Sequence, residues 1–381
     1  MKDLAALNVL GVMSGTSLDG IDAVLIKLEQ TKDKLHWQVL DRESIPYHPF
    51  LREGLHQAIK PETSNIVIIT QLHAEVGLAY AEIVLNVQAR NNIDLVALSG
   101  QTVYHIPRRD EARGWHTIST LQLGEAAIVA ERCKTIVISD FRQSDMAAGG
   151  QGAPMVSFGD FKLFSEAGKA RAIHNLGGIS NLTYLPASGN SNDVFAFDTG
   201  PSNCLIDEAV KRYFGLEYDQ SGTLAASGRV DNKVLAELMK HLYFEQPLPK
   251  TTGRELFTLS ELEKVISFEP FSPKDVIATL TAFSAESIAK SYRDFVLPKD
   301  LDDILVAGGG AFNPTLLAML RERLQVPIQT FEDFGWHSKD REALAFAVMG
   351  YFAHYGLPNT LPSATGARYA TLAGKMTRPL E

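Results

Sequence analysis

An apolar run over residues 9–13, ending a strand that starts at 7, stops at Ser14-Gly15-Thr16-Ser17-Leu18-Asp19-Gly20, a turn of glycines, hydroxyls and one aspartate. Alternating runs follow over residues 23–28 and 35–43, with a polar turn over 29–34 between them. Period-two patterning bounded by turn residues predicts three antiparallel strands. A dinucleotide-binding opening would pass from strand to helix at its first glycine turn, so the pattern excludes one. The period then lengthens: residues 51–59 and 66–89 carry apolar positions at helical spacing. Short apolar runs over 94–99 and 135–139 read as buried strands, with a helix over 124–133 between them. The first of these strands runs into Ser99-Gly100-Gln101-Thr102-Val103-Tyr104-His105. Residues 140–154 form a glycine-rich loop, the natural place for a domain boundary and a cleft wall.

At Arg171 the opening pattern restarts: a strand over 172–175, the turn Leu176-Gly177-Gly178-Ile179-Ser180-Asn181, then strands over 182–185 and 193–197. Strand, glycine turn, strand, strand thus occurs twice, roughly 160 residues apart, the signature of an internal duplication. Next come Phe197-Asp198-Thr199-Gly200-Pro201 and a helix over 205–214. Residues 220–275 are polar and poorly periodic. A helix over 275–295, a strand over 303–307, Gly308-Gly309-Gly310, and helices over 314–324 and 341–355 complete the pattern, before a polar, loop-like tail from 358. The expected fold is α/β with mixed sheets. Its first domain spans 1–150, with the tail 358–381 packing back on it, and its second spans 151–357.

Of the 381 residues, 45% are hydrophobic and 21% charged, enough for two sizeable cores. The net charge is −9 and no basic block exceeds Arg108-Arg109, which argues against nucleic acid or an anionic membrane as partner. The two cysteines, Cys133 and Cys204, form no C-x-x-C, which argues against a disulfide framework or zinc site and fits a reducing cytosol. The chain lacks a signal-peptide pattern and any uninterrupted apolar run of roughly 18 residues, so a cytoplasmic location without a membrane span is expected.

Walker-type, dinucleotide, H-E-x-x-H and G-x-S-x-G signatures are all absent, yet glycine-rich polar turns end four strands. Two such turns, at 11–22 and 175–181, suit a polyphosphate gripped from both sides, because glycine admits a close ligand and hydroxyls and N–H groups bind its oxygens. The alternative is a pair of ordinary hairpin turns. Gly308-Gly309-Gly310 lets a flat ring or a phosphate lie on the backbone at a helix start, or makes a tight turn. Asp198 suits a general base at a strand end, or an N-cap for the helix after it. Glu342 is a candidate carboxyl, or a first-turn charge complementing its helix dipole. Arg142 suits a bidentate clamp on a substrate carboxylate, or an ion pair with Asp140 or Asp145. His105 and His174 read as core or surface histidines.

The stretches GVMSGTSLDGID, SGQTVYH, LGEAAIVAE, DFRQSDMAAGGQGAP, NLGGISNLT, FDTGPSNCLID and VAGGGAFNPTL resemble, collinearly from Gly11 to Gly350, the anhydro-N-acetylmuramic acid kinases of bacteria. The resemblance implies two duplicated actin-like (ribonuclease H-like) domains flanking a nucleotide cleft, in the sugar kinase, Hsp70 and actin superfamily. It implies ATP and Mg²⁺ as cofactors. The implied reaction opens 1,6-anhydro-N-acetylmuramic acid with water and phosphorylates O6, giving N-acetylmuramic acid 6-phosphate in peptidoglycan recycling. Carried over by motif, Asp198 is the catalytic base, and Glu342 joins it on the shorter motif Arg-Glu-Ala-Leu-Ala-Phe. The implied ATP-binding residues are Gly15, Thr16, Ser17, Leu18, Asp19, Gly20, Ile21, Asp22, Gly177, Gly178, Asn181, Gly308, Gly309, Gly310 and Asn313. Substrate falls to Gln101, Thr102, Arg142 and Asn175. No residue is expected to hold a resident metal; Mg²⁺ travels with ATP, near Asp19. The expected partners are the amino sugar and ATP, with a homodimer as one assembly. The competing expectations are an ordinary sugar kinase acting on a free hydroxyl and a non-enzymatic actin-like nucleotide switch.

Overall fold

A computed structural model describes residues 3–32, 34–107, 109–269 and 271–380. Asp33, in the expected 29–34 turn, and Arg108, of the basic pair, lie outside the described residues. The chain divides into two compact units, Met1–Leu163 with Asp340–Glu381, and Phe164–Lys339. In chain order the first unit starts with strands β1 (Leu4–Met13), β2 (Gly20–Gln30) and β3 (Leu35–Pro46) and helices α1 (Pro49–Ala58) and α2 (Ile66–Gln88). Strands β4 (Leu95–Leu98), β5 (Gln101–Ile106) and β6 (Ser119–Leu123), helix α3 (Ala126–Cys133), strand β7 (Ile136–Ser139) and helices α4 (Arg142–Ala147) and α5 (Val156–Phe164) follow. The second unit holds β8 (Arg171–Leu176), β9 (Ile179–Leu185), β10 (Phe195–Pro201), α6 (Asn203–Phe214), α7 (Pro273–Ser291), β11 (Asp303–Ala307), α8 (Pro314–Arg323) and β12 (Ile328–Thr330). The chain then returns to the first unit with α9 (Arg341–His354) and β13 (Lys375–Thr377).

The first unit's sheet has the order β13-β7-β4-β1-β2-β3, with β1–β2 and β2–β3 antiparallel and β1–β4 and β4–β7 parallel. The second unit's sheet runs β10-β9-β8-β11-β12, with β8–β9 and β9–β10 antiparallel and β8–β11 and β11–β12 parallel. Counted from its first hairpin, each sheet thus has third, second, first, fourth and fifth strands side by side with the same directions. The fold is α/β with mixed sheets.

In the first unit α2 begins where the Asn65 side chain accepts the Ile68 N–H at 3.0 Å. Leu72, Val76, Tyr80, Val84 and Val87 then recur at three- and four-residue steps and enter the core with Leu10, Val12, Leu25 and Val96. Burying each such aliphatic side chain stabilises the unit by about 1.5–3 kcal/mol. By length and mean hydropathy α2 is the one helix among the described residues long and apolar enough to cross a membrane, although no uninterrupted apolar run marks it. Its inward face is core in this structure, while Ile66 and Val67 at its start are exposed. α9 packs on β1 at Gly11, where a methyl group would lie 1.9 Å from the Ala343 carbonyl oxygen.

Three expectations are corrected. The expected boundary at 150 falls instead between Leu163 and Phe164, and helix 341–355, expected in the second domain, belongs to the first unit. The 140–154 loop contains α4, because Arg142–Ala147 has no glycine to interrupt a helical turn. The poorly periodic stretch 220–275 holds short helices such as Asn232–Leu238 and Leu259–Leu262, whose apolar residues join a cluster with Phe244, Phe257 and Phe268. The tail from 358 contains β13, antiparallel to β7, and its Asn359 amide donates to the Met349 and Ala373 carbonyls at 2.8 Å each.

Candidate active site

In the first unit the tip between β1 and β2 is fixed from below. The Ser14 N–H donates to Ser99 Oγ at 3.2 Å, and Ser14 Oγ lies 2.5 Å from the buried Tyr80 hydroxyl. Gln101 is fully buried; its Oε1 accepts from Tyr47 at 3.0 Å and its Nε2 donates to the Gly15 carbonyl at 3.1 Å. Gln101 therefore braces the tip. Burial pushes the Tyr47 hydroxyl up to about 12, so it stays a neutral donor. Leu18 is buried although its φ is 56°, a conformation that costs a non-glycine residue about 1–2 kcal/mol. Burial of its side chain offsets that cost. Thr16, Ser17 and Asp19 are left exposed, with the Ser17 hydroxyl donating to Asp19 Oδ1 at 2.7 Å. Asp22, opposite Met13, accepts from Ser44 Oγ at 2.5 Å.

Beside this tip α9 sets Glu342. The neighbouring Arg341 is buried and forks onto Asp160, its Nε 2.9 Å from Oδ1 and its Nη2 2.5 Å from Oδ2. Burial raises the Glu342 carboxyl above the usual range; Arg341 and Arg142 oppose the rise, and Asp160 and Asp22 add to it. Arg142 donates from Nη1 to the Gly152 carbonyl at 2.6 Å, while its buried Nε has no partner among the described residues. The expected ion pair with Asp140 or Asp145 does not form: Asp140 pairs with Lys375, and Asp145 accepts from the Thr365 hydroxyl and the Gly152 N–H. Burial, helped by the charge of Arg142, pushes His105 down to about 4, so its ring is neutral. Thr102 is half-buried, and its hydroxyl accepts from Gln122 at 3.2 Å.

The second unit brings Asn175, Asn181 and Asp198 into one row across β8, β9 and β10, with Ala307 of β11 completing it. Cross-strand partners share a sheet face, so the three polar side chains lie side by side. The register slips between Asp198 and Gly200, whose φ is 132°, so the strand end bends at the aspartate. Three bonds hold Asp198. The Thr252 N–H donates to Oδ2 at 2.8 Å, the Asp198 N–H donates to the Lys250 carbonyl at 3.2 Å, and the Tyr243 hydroxyl donates to the Asp198 carbonyl at 2.5 Å. Burial lifts the Asp198 carboxyl to about 6, against the Thr252 bond. That value suits a group which must accept a proton near neutrality. The N-cap alternative is not realised: Ser202 occupies the N-cap of α6. Behind the row, His174 links Tyr292 at 3.0 Å to Ser180 at 2.6 Å, and Ser180 reaches Thr199 at 2.7 Å.

The tip at Gly177-Gly178 is tied to α6, whose first N–H groups donate to the two glycine carbonyls. Gly308, with φ 84°, and Gly310 both press against Leu176, so packing accounts for two of the three glycines, while Gly309 is exposed. Asn313 caps α8, its Oδ1 accepting the Leu316 N–H at 3.0 Å. The Asn175 amide lies between Gly177 and Gly308. Thr252, Lys250, Tyr243 and Arg254 escaped the sequence reading. The only signal was the stretch Lys250-Thr251-Thr252-Gly253-Arg254, inside a region without periodicity.

A half-buried carboxyl with a raised pKa at a strand end, together with glycine–hydroxyl hairpin tips on mixed sheets, suits in class an α/β enzyme that handles phosphate. The chain belongs to the anhydro-N-acetylmuramic acid kinase family, whose model matches residues 7–379. A relative of that name from Bacillus cereus (strain 03BB102) is 41% identical over 97% of this chain and 99% of its own length. One from Francisella tularensis subsp. novicida is also 41% identical, over 96% of this chain and 97% of its own. Among solved structures, the (R)-2-hydroxyglutaryl-CoA dehydratase component A of Acidaminococcus fermentans aligns over 91% of this chain and 98% of its own, with 12% identity and a TM-score of 0.46.

Proposed function

We propose that the chain is an ATP-dependent kinase that opens 1,6-anhydro-N-acetylmuramic acid with water and phosphorylates O6, in peptidoglycan recycling. Family membership supports the activity, and the observation that carries the mechanism is the Asp198 carboxyl, raised to about 6 by burial, held by the Thr252 N–H and carried on a backbone that two further hydrogen bonds fix. Asp198 takes a proton from water as the water oxygen bonds to the anomeric carbon. The bond from that carbon to O6 breaks, and its electron pair stays on O6. O6 then attacks the γ-phosphorus and ADP leaves, so the leaving group of the first step is the nucleophile of the second. No separate base is required at O6. Glu342 is the second catalytic carboxyl, which orients the water; burial raises its affinity for a proton above that of an ordinary carboxyl.

Arg142, with its unpartnered Nε, clamps the lactyl carboxylate, and Thr102 and Asn175 complete the sugar contacts while Gln101 shapes the wall behind. Both hairpin tips, through residues 15–22 and through Gly177, Gly178 and Asn181, bind ATP phosphates. Gly309 offers open backbone to the nucleoside between Gly308 and Gly310, with Asn313 holding the helix start. Among the described residues no group of three or more His, Cys, Asp or Glu could hold a resident metal. One exposed carboxylate, Asp19, beside the Thr16 and Ser17 hydroxyls, fits Mg²⁺ carried with ATP. When bound, that ion neutralises phosphate charge. The likeness of the two sheet orders supports duplicated actin-like domains, and the need for ATP supports a cytoplasmic location.

The test is an ADP-release assay with ATP and either the anhydro sugar or its ring-opened form, run in ¹⁸O-labelled water. The expected result is turnover of the anhydro sugar, with ¹⁸O at C1 and none in the phosphate. Phosphorylation of the ring-opened sugar alone would make this an ordinary sugar kinase, and sugar-independent ADP release would make it a nucleotide switch.

A further inference from the structure

The residues assigned to ATP share a gap in their chemistry. Residues 15–22, Gly177, Gly178, Asn181, Gly308, Gly309, Gly310 and Asn313 include no lysine and no arginine. Backbone N–H groups and hydroxyls bind phosphate oxygens, but phosphoryl transfer spreads charge that fixed cations stabilise most strongly.

One guanidinium lies at the right place. Arg254 sits across the tip between β8 and β9. A Cβ built on Gly178 would be 2.7 Å from its Nη2, 2.9 Å from Nε and 3.1 Å from Cζ. The side chain is exposed, and the guanidinium has no hydrogen-bond or ion-pair partner among the described residues. Its charge is felt nearby without being neutralised: burial lifts the Asp207 carboxyl to about 6, and Arg254 opposes that rise from a distance. The loop that presents Arg254 is the loop that holds the base. Two residues earlier, the Thr252 N–H is bonded to Asp198 Oδ2, and the Lys250 carbonyl takes the Asp198 N–H. The Lys250 side chain anchors the loop, its buried ammonium lying 4.9 Å from the Tyr243 ring centroid and 5.1 Å from that of Phe295.

We propose that Arg254 is a phosphate-binding residue of this kinase, its guanidinium fork carrying the positive charge that the Gly177-Gly178 tip lacks. The assignment rests on the reading that this tip binds the phosphates of ATP. A planar fork can bond two phosphate oxygens at once, and glycine at 178 leaves the space it occupies. Because one loop sets both Arg254 and Asp198, the order of residues 250–254 couples phosphate binding to the position of the base.

The test uses Arg254→Gln, Arg254→Lys, Gly178→Ala and Gly177→Val in the full chain. Binding of ADP and of adenosine is measured by calorimetry, beside kcat and KM for ATP. Arg254→Gln is expected to lower kcat/KM for ATP by about 10²-fold and weaken ADP, with adenosine binding unchanged. Lysine restores part of the loss, because it returns the charge without the fork. Gly178→Ala crowds the guanidinium, so it lowers activity with arginine at 254 and adds little to Arg254→Gln. Arg254→Gln with ordinary ATP kinetics and ADP affinity overturns the assignment. If Gly177→Val nevertheless weakens ADP, only Arg254 is misassigned. If ADP binding is unchanged in both, the hairpin reading falls with it.

Discussion

Replacing Asp198 with asparagine should abolish turnover and, at pH 8, make the protein more stable. The carboxyl is lifted from its ordinary 3.8 to about 6, chiefly by burial, with the Thr252 N–H opposing. A carboxyl that binds its proton more tightly in the folded state lowers stability wherever it is ionised. The loss is absent below pH 3.8, grows between 3.8 and about 6, and is complete above about 6. A rise of this size corresponds to about 3 kcal/mol at most, less to the extent that water reaches the half-buried carboxylate. Asparagine keeps an oxygen for Thr252 and removes the charge. Melting curves of both proteins between pH 5 and 8 should show the variant ahead by several degrees at pH 8, at about 2–4 °C per kcal/mol for a unit of this size, with the gap narrowing toward pH 5. Under the same conditions ADP release should fall by about 10²–10⁴-fold. The pH profile of kcat/KM for the wild type should rise through about 6 on its acid side. Equal melting temperatures at pH 8 would refute the buried charge, and full activity in the variant would remove Asp198 as base.

Three further outcomes are expected. Gly11→Ala forces a methyl against the Ala343 carbonyl and should cost about 1–3 kcal/mol or more, read as a lower denaturation midpoint; an unchanged midpoint would mean that α9 does not pack as described. Arg142→Lys should raise KM for the sugar roughly tenfold while leaving KM for ATP unchanged, because ammonium cannot replace a fork; a shift in the ATP value instead would reassign the residue. Arg341→Met removes the guanidinium paired with the buried Asp160 carboxylate and should cost about 3–5 kcal/mol by urea denaturation, and Arg341→Met with Asp160→Leu should recover much of it; no recovery would disprove the pairing.

The opening hairpin, the restart at Arg171 and the strand end at Asp198 were legible because period-two alternation and glycine turns are local signals. Bracing of the tip by Tyr47, Tyr80 and Gln101 was not, because those contacts join residues far apart in sequence and nothing in their own neighbourhoods marks them. Arg254 was hidden for a related reason. Between 220 and 275 the apolar residues enter the core singly from short helical turns, so no period announces which polar residues are held in place. The glycines at 308 and 310 show the converse: they read as a ligand signal, yet contact with Leu176 already requires them. Asn313 read as a nucleotide contact, and its oxygen is spent on a helix cap that Pro314 could have indicated.

The first unit is assembled from two separated stretches of chain, whereas the second is continuous. On a ribosome the second stretch of the first unit is made only after the whole second unit. Residues 164–339 can therefore complete their sheet while β1 still waits for its covering helix, with the groove at Gly11 open until Ala343 arrives. The order of synthesis thus makes α9 the closing piece, and a chain truncated before residue 341 should keep a folded middle flanked by an adhesive, aggregation-prone start.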